Sequence, residues 1–442
     1  MDIKELTNII KENGVVGAGG AGFPTYAKLD SRADTILLNC AECEPLLKLH
    51  RQLLAVHADE ILGTFSLIAD TLGAERGIIG IKADYKETLR CVEGCIGRYP
   101  KLSVHKLPGA YPQGDEVVLI YETTGRVVNP GGLPIEQGVV VFNVETVYNV
   151  YRAMQEKTPV VDKLVTVVGE VEHPVTVRVP LGMKLSDVVS RAGNITTKDP
   201  VYLVGGPMMG RIGKPEDPVT KTTNALLILP SDHKLILKMT AGVAIDMKRA
   251  ASVCCQCRTC TDMCPRYLLG HPIEPHKFMR SAANMDVQDT SVFMDTFFCS
   301  SCGTCELYAC PQGLSPRTLI AACKNGLRSN GIKPEKGIKP RPVNQDREYR
   351  RAQEGRLTAR LGLTDYDLPA PMDESVQKSG RVVIRLSQHI GAPAVACVKT
   401  GDRVRRGQKV AEPGQGLSVP IHASIDGVVS EVTQSHVVIE DR

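Results

Sequence analysis

The run "CCQCRTCTDMCP", Cys254 to Pro265, constrains this chain more than any other stretch. Its thiols follow C-x2-C-x2-C-x3-C-P through Cys254, Cys257, Cys260 and Cys264, the bacterial ferredoxin spacing. A second run, "CSSCGTCELYACP", repeats it through Cys299, Cys302, Cys305 and Cys310, with one more residue in the last gap. Three thiolates at this spacing wrap three corners of one cubane. The fourth, before proline, lies too far along to close the same cluster, and in two-cluster ferredoxins it ligates the other one. The expected ligand sets are therefore Cys254, Cys257, Cys260 and Cys310 for one [4Fe–4S] cluster, and Cys264, Cys299, Cys302 and Cys305 for the second. Structural zinc also takes four thiolates, but from paired C-x2-C knuckles, which these runs match poorly. Cys255 breaks the spacing and reads as a bystander. The residues between the runs have helical character, so the unit is expected to be more helical than a small free ferredoxin.

Composition narrows the rest. Nine of the 15 cysteines fall between Cys254 and Cys310, which suits metal rather than disulfides. A net charge of +4 demands no nucleic-acid partner. No apolar run approaches the roughly 18 residues of a membrane span. The acidic, amphipathic start does not read as a secretory leader, so a cytoplasmic protein of several domains is expected. Iron–sulfur clusters move electrons singly. A partner for an electron-pair donor must lie elsewhere in the chain, and flavin is the usual converter.

"GVVGAGGAGFPT" spells G-x-G-x-x-G at Gly17, Gly19 and Gly22. A dinucleotide fingerprint needs a strand before it and a helix after it. Here Ile3, Leu6, Ile9 and Ile10 give helical spacing before it, and Phe-Pro follows it. The readings left open are an ordinary Rossmann turn, a flexible turn, or a glycine loop between helices that cradles a flavin or nucleotide phosphate with backbone N–H groups. Beyond it, "TILLN", "ERGIIGIKAD", "KLSVHKLPG" and "GVVVFNVET" read as strands, with a helix over residues 57–72. This pattern predicts an α/β domain with a mainly parallel sheet. Glu42, Glu44, Tyr111, Gly114, Glu116, Asn143 and Thr146 fall on loops at strand C-termini, where such sheets bind ligands.

The segments "GAGGAGFPTYAK", "NCAECEP", "GAYPQGDE" and "NVET" resemble, in order, those that build the flavin and NADH site in the flavin-binding subunit of respiratory complex I. They are more similar still to the C subunit of Rnf-type electron-transport complexes and to the cobalamin reductases of propanediol-degrading microcompartments. The resemblance covers nearly the whole chain. It implies that Gly17, Gly19, Gly20 and Lys28 line the FMN phosphate and ribityl chain. It implies that Asn39, Glu42, Gly114, Asp115, Asn143 and Thr146 hydrogen-bond the ribityl or ring. Phe23, Glu44, Tyr111 and Glu116 match positions that contact NADH, Phe23 stacking on adenine. Ala18, Ala41 and Asp115 stand where the complex I subunit has Arg, an acidic residue and Glu.

Two alternating strands joined by "EHP" and a helix ended by Gly193 form a small α+β module. It resembles the β-grasp (SLBB-type) domain of the same family, which is linked to corrinoids by analogy of fold. "GGPMMG" (Gly205 to Gly210) has two readings, a close approach to a cofactor or, preferred, a turn beside Met-rich core. Residues 324–360 hold eleven Lys or Arg and four Asp or Glu and read as an extended linker. The last sixty residues resemble a biotinyl/lipoyl-type barrel-sandwich, but the matching hairpin "IHASIDG" lacks the acyl-carrier Lys. Its C-terminal position favours the cobalamin reductase arrangement.

The expected architecture is multidomain α/β and α+β. A Rossmann-like FMN/NADH domain spans 1–157, a β-grasp domain 160–232 and a helical two-cluster ferredoxin-like domain 240–330. A linker (331–377) and a barrel-sandwich (378–442) follow. The expected function is an NADH-dependent oxidoreductase feeding cobalamin through FMN and two [4Fe–4S] clusters. The implied partners are a corrinoid or corrinoid adenosyltransferase and a microcompartment shell protein carrying an iron–sulfur cluster, with a place inside a bacterial microcompartment. The alternatives are the electron-input subunit of a membrane Rnf-type complex and a non-catalytic electron-transfer scaffold.

Overall fold

A computed structural model describes residues 1–441. The chain opens with the helix Ile3–Glu12, capped by the Asp2 carboxylate, which accepts from Glu5 N–H at 2.7 Å. Leu6 and Ile10, one turn apart, are its buried face. The glycine loop follows this helix, not a strand, and leads into a short 3-10 turn, Thr25–Lys28. The loop therefore lacks the strand–turn–helix context of a dinucleotide fingerprint.

Behind it stands a parallel sheet in the order Leu102–Leu107, Arg76–Lys82, Thr35–Cys40, Val139–Asn143. From Thr35–Cys40 the chain winds outward through two strands, then returns to Val139–Asn143 on the other flank. This reversal opens a crevice at the strand C-termini, the usual ligand position of an open α/β sheet. Asn39 and Asn143 are register partners at that end. The helices Ala58–Leu72 and Val144–Tyr151 pack over one face, burying Ile61, Phe65, Ile68 and Val147.

The second domain is a six-stranded mixed sheet. The strands Asp162–Gly169 and Val175–Pro180 form its antiparallel hairpin. The helix after them ends at Gly193, whose φ of +83° suits glycine. The cluster domain is helical, from Val243–Val253 to Pro316–Ser329. The C-terminal domain closes two small antiparallel sheets around Val382, Ile384, Val410, Ile421, Val429 and Ile439.

Residues 331–377 do not form the extended linker expected from their charge. Ala352–Gln353 pairs antiparallel with Ala110–Tyr111. The helix Glu354–Leu361 buries Leu357 and Leu361. Met372–Val376 becomes the edge strand of the second domain's sheet. The segment is a strap across three domains. Four of its arginines meet acids: Arg347 and Arg351 reach Glu122, Arg341 reaches Glu274, and Arg350 reaches Asp262.

Candidate functional site

At the C-terminal end of the parallel sheet lies a cleft of about 430 Å³. All fourteen flavin and nucleotide positions expected from the sequence line it: Gly17, Gly19, Gly20, Phe23, Lys28, Asn39, Glu42, Glu44, Tyr111, Gly114, Asp115, Glu116, Asn143 and Thr146. The glycine loop is folded back on itself, Gly17 N–H donating to Phe23 C=O at 2.8 Å. Gly20, at φ +66°, has nothing within 4 Å of the place a Cβ would occupy, so the loop tip opens on the cleft.

Several side chains expected to touch the flavin are already committed to the backbone. Asn39 donates to Gly114 C=O and accepts from Ala41 N–H, both at 3.0 Å. Asn143 Oδ1 accepts from Glu145 N–H and caps the helix Val144–Tyr151. Thr146 Oγ1 accepts from Ala18 N–H at 2.9 Å, tying that helix to the glycine loop. Asp115 Oδ1 caps the helix Glu116–Thr124, and its Oδ2 accepts from Arg266 at 2.8 Å. These groups hold four separate chain segments in one cradle. Lys28 Nζ donates to Glu116 Oε1 at 3.2 Å and to Val141 C=O.

The polar atoms still free are diagnostic. Glu42 Oε1, Glu44 Oε1, Thr25 Oγ1 and Asn224 Oδ1 are buried, line the cleft and have no hydrogen-bond partner. Buried orphans of this kind cost free energy unless something occupies the cleft. Burial pushes both Glu42 and Glu44 up to about 7, against the pull of Arg51 on the first and of Met208 and Met209 N–H groups on the second. Burial drives His50, which also lines the cleft, down to about 3, so its ring is neutral. Together, an open glycine tip, unpaired acceptors and a lysine fit a polar, phosphate-bearing flavin.

The "GGPMMG" turn is not merely core. It leaves the second domain and reaches Glu44, whose Oε2 accepts from Met208 N–H at 2.8 Å. A Cβ at Gly206 would fall 2.2 Å from that oxygen, so glycine permits the approach. Met209 is exposed and lines the cleft mouth. Asn224, His50 and Cys302 were missed as wall residues, and Met209 falls in the stretch read mainly as a turn. Asn224 and Cys302 come from other domains than the glycine loop, and no local pattern places them at the cleft.

Cys254, Cys257, Cys260 and Cys310 line one cavity, with Cys255 beside them. Burial and the neighbouring thiols of Cys310, Cys254 and Cys257 push Cys260 up to about 12. Cys305 is raised by burial and by Cys299, Cys302 and Cys264 around it. Among the described residues no group of three or more His, Cys, Asp or Glu side chains converges closely enough to hold a single metal ion. Both runs carry the same backbone device. The second residue after the first Cys (Gln256, φ +54°; Ser301, φ +59°) and the residue after the second (Arg258, φ +65°; Gly303, φ +81°) are left-handed. Three of these are non-glycine, a strain that structures keep where geometry demands it. Amide N–H groups of Ser301 and Leu314 donate to the sulfurs of Cys299 and Cys310, each at 3.3 Å.

The two arrays differ in position. Cys302 and Cys305 are buried, and Cys302 also forms part of the flavin cleft wall. Tyr111 O–H donates to Cys302 C=O at 2.6 Å. In the other array Cys257 is exposed, as is neighbouring Cys255. Cys91 and Cys95 lie on the helix Lys86–Ile96, packed against the first domain's core.

Comparison with known proteins agrees with this architecture. Family models match in turn: the Nuo51 FMN-binding domain over residues 10–152, the SLBB domain over 164–212, a 4Fe-4S dicluster domain over 253–315, and the RnfC barrel sandwich hybrid domain over 372–441. The C subunit of the Na(+)-translocating ferredoxin:NAD(+) oxidoreductase complex of Acetobacterium woodii is 32% identical over 61% of this chain and 59% of its own. An NAD+-reducing [NiFe]-hydrogenase in its H2-reduced state shares the fold at a TM-score of 0.51 and 22% identity, over 76% of this chain and 64% of that one. The cobalamin reductase PduS of Citrobacter freundii is 40% identical over 99% of this chain and 97% of its own, and that of Salmonella typhimurium 41% over 98% and 96%. At that identity over the whole length, this chain belongs to the family of the cobalamin reductase PduS.

Proposed function

We propose that the protein oxidises NADH and passes the electrons to cobalamin, as a flavo-iron–sulfur oxidoreductase of 1,2-propanediol degradation. The observation that carries this reading is the shared wall: Cys302, a residue of the buried array, also lines the cleft where the flavin positions gather. When bound, FMN exchanges an electron pair for single electrons and two [4Fe–4S] clusters carry those onward. The chain's own work is binding and orientation, and no general acid or base is assigned. Gly17, Gly19, Gly20, Lys28 and the pinned Asn143–Thr146 turn would hold the flavin. Phe23, Glu44, Tyr111 and Glu116 would receive NADH. Cys254, Cys257, Cys260 and Cys310 would hold one cluster, and Cys264, Cys299, Cys302 and Cys305 the other.

The acceptor follows the relatives, which are named cobalamin reductases. A corrinoid adenosyltransferase and an iron–sulfur shell protein are the proposed partners, and the interior of a cytoplasmic microcompartment the proposed location. No helix among the described residues is long and apolar enough to cross a membrane. The test is NADH oxidation by anaerobically reconstituted protein with hydroxocobalamin, ferredoxin or quinone analogues as acceptor. Rapid flavin bleaching with corrinoid reduction is expected. Bleaching that turns over only with ferredoxin would assign the electron-input role of an Rnf-type subunit. A flavin that NADH never bleaches would reduce the protein to a scaffold.

A further inference from the structure

The flavin cradle has a second wall that the flavin domain does not supply. Residues 220–224 of the β-grasp domain run along the glycine loop. Lys221 Nζ, buried, donates to Gly14 C=O at 2.6 Å. Thr222 lies against Gly22, where a Cβ would come within 2.9 Å of its methyl group. Asn224 ends the segment at the cleft. Its Nδ2 stands 4.0 Å from the place a Cβ on Gly19 would take, and Asn143 Nδ2 stands 3.4 Å from the same place. Two carboxamides from two domains thus converge on one glycine of the loop. Asn143 is anchored, its Oδ1 capping a helix. Asn224 Oδ1 is buried without a partner. Its backbone is fixed, its C=O accepting from Thr166 N–H at the head of the strand Ala225–Pro230. The part-buried Asn224 carboxamide is held by its backbone, turns its Nδ2 donor toward the glycine loop and leaves only its acceptor Oδ1 buried and unpaired, so Nδ2 is the atom placed to meet an anionic ligand in the cleft.

We propose that Asn224 binds the phosphate-bearing end of the flavin, so that the FMN site is completed by the β-grasp domain. The inference rests on the flavin reading above and goes beyond it in assigning a residue outside the flavin domain. An amide donates to a phosphate oxygen; a carboxylate in its place repels the phosphate. FMN and riboflavin differ only by that phosphate, so they separate a direct contact from a structural effect.

The experiment titrates apo-protein with FMN and with riboflavin, following quenching of flavin fluorescence, for wild type, Asn143→Ala, Asn224→Ala and Asn224→Asp. Loss of a hydrogen bond to a charged group corresponds to about tenfold or more in affinity. Asn224→Ala is expected to weaken FMN by that factor, Asn224→Asp by more, and both to leave riboflavin within about twofold of wild type. The isosteric Asn224→Asp keeps the test available should the alanine variant fold poorly. FMN affinity unchanged in both Asn224 variants, or FMN and riboflavin weakened alike, would overturn the assignment. Wild type that binds neither flavin would instead sink the flavin site itself, and Asn143→Ala weakening FMN while both Asn224 variants do not would sink only this inference.

Discussion

Glu44 holds two conflicting commitments. Its Oε2 is satisfied by Met208 N–H, while its Oε1 is buried and unpaired. Burial raises its carboxyl to about 7 from the usual value near 4.5. The folded protein therefore holds this proton more tightly than the unfolded chain. Stability is highest below the unfolded value and falls as pH rises from there through about 7. At 1.36 kcal/mol per pH unit the cost above pH 7 is on the order of 3 kcal/mol. Glu44→Gln carries no charge to bury. We expect apo-protein of this variant to lose less melting temperature than wild type between pH 5 and pH 8, by differential scanning fluorimetry. We also expect its KM for NADH to rise several-fold, because an amide offers one acceptor oxygen where a carboxylate offers two. An identical pH dependence of melting in variant and wild type would mean that Glu44 is already ionised in the fold. At this scale the four motif segments were legible, because glycines and acids at fixed spacings spell themselves out. What Asn39, Asp115 and Thr146 do was not. Their partners Gly114, Arg266 and Ala18 lie 75, 151 and 128 residues away. No spacing rule reaches across such gaps.

The strap between residues 331 and 377 shows how charge can hide an element. Its apolar residues Ala352, Leu357, Leu361 and Leu363 are buried, but they stand among so many arginines that the segment reads as solvated. The arginines are internal partners, and the strap's acid is one too. Glu354 meets the ammonium of Lys82, a side chain with no exposed surface. The same ammonium donates to Glu42 C=O at 2.8 Å, and Tyr85 O–H donates there as well. The strap helix thus helps hold the segment that carries Glu42 and Glu44. Glu354→Ala leaves a buried cation unpaired, a defect worth about 3–5 kcal/mol. We expect a clear fall in the denaturation midpoint and faster release of flavin. Replacing both partners, Lys82→Met with Glu354→Met, removes the stranded charge and should restore much of the midpoint. A double variant no more stable than Glu354→Ala would show that the strap acts through packing alone. The strands and the long helix of the first domain were readable because their apolar periodicity is undiluted. Thr35–Cys40 is buried at nearly every position.

Across the whole molecule the two cysteine arrays stand at different distances from the cleft. The array containing Cys302 touches the flavin cleft through that residue, and Tyr111, a cleft residue, donates to its carbonyl. The array containing Cys257 reaches the surface. Crossing of the fourth cysteines links the two: Cys264 follows the first run but sits with Cys299 and Cys302, and Cys310 follows the second but sits with Cys260. The spacing leads to the expectation of crossed ligand sets, whereas any order relative to the cleft comes only from the placement of three domains. An inner and an outer centre make unequal predictions for single thiol removals. Cys257→Ala should abolish the outer cluster's paramagnetic signal while NADH still reduces the inner one. Cys302→Ala should abolish the inner signal and leave an outer cluster that dithionite reduces and NADH does not. In both variants corrinoid reduction should fall sharply while NADH still bleaches the flavin. Electron paramagnetic resonance after rapid freezing distinguishes the two, with each variant reduced in parallel by NADH and by dithionite. If NADH reduces the remaining cluster of Cys302→Ala as fast as in wild type, electrons enter through the outer array and the order is reversed.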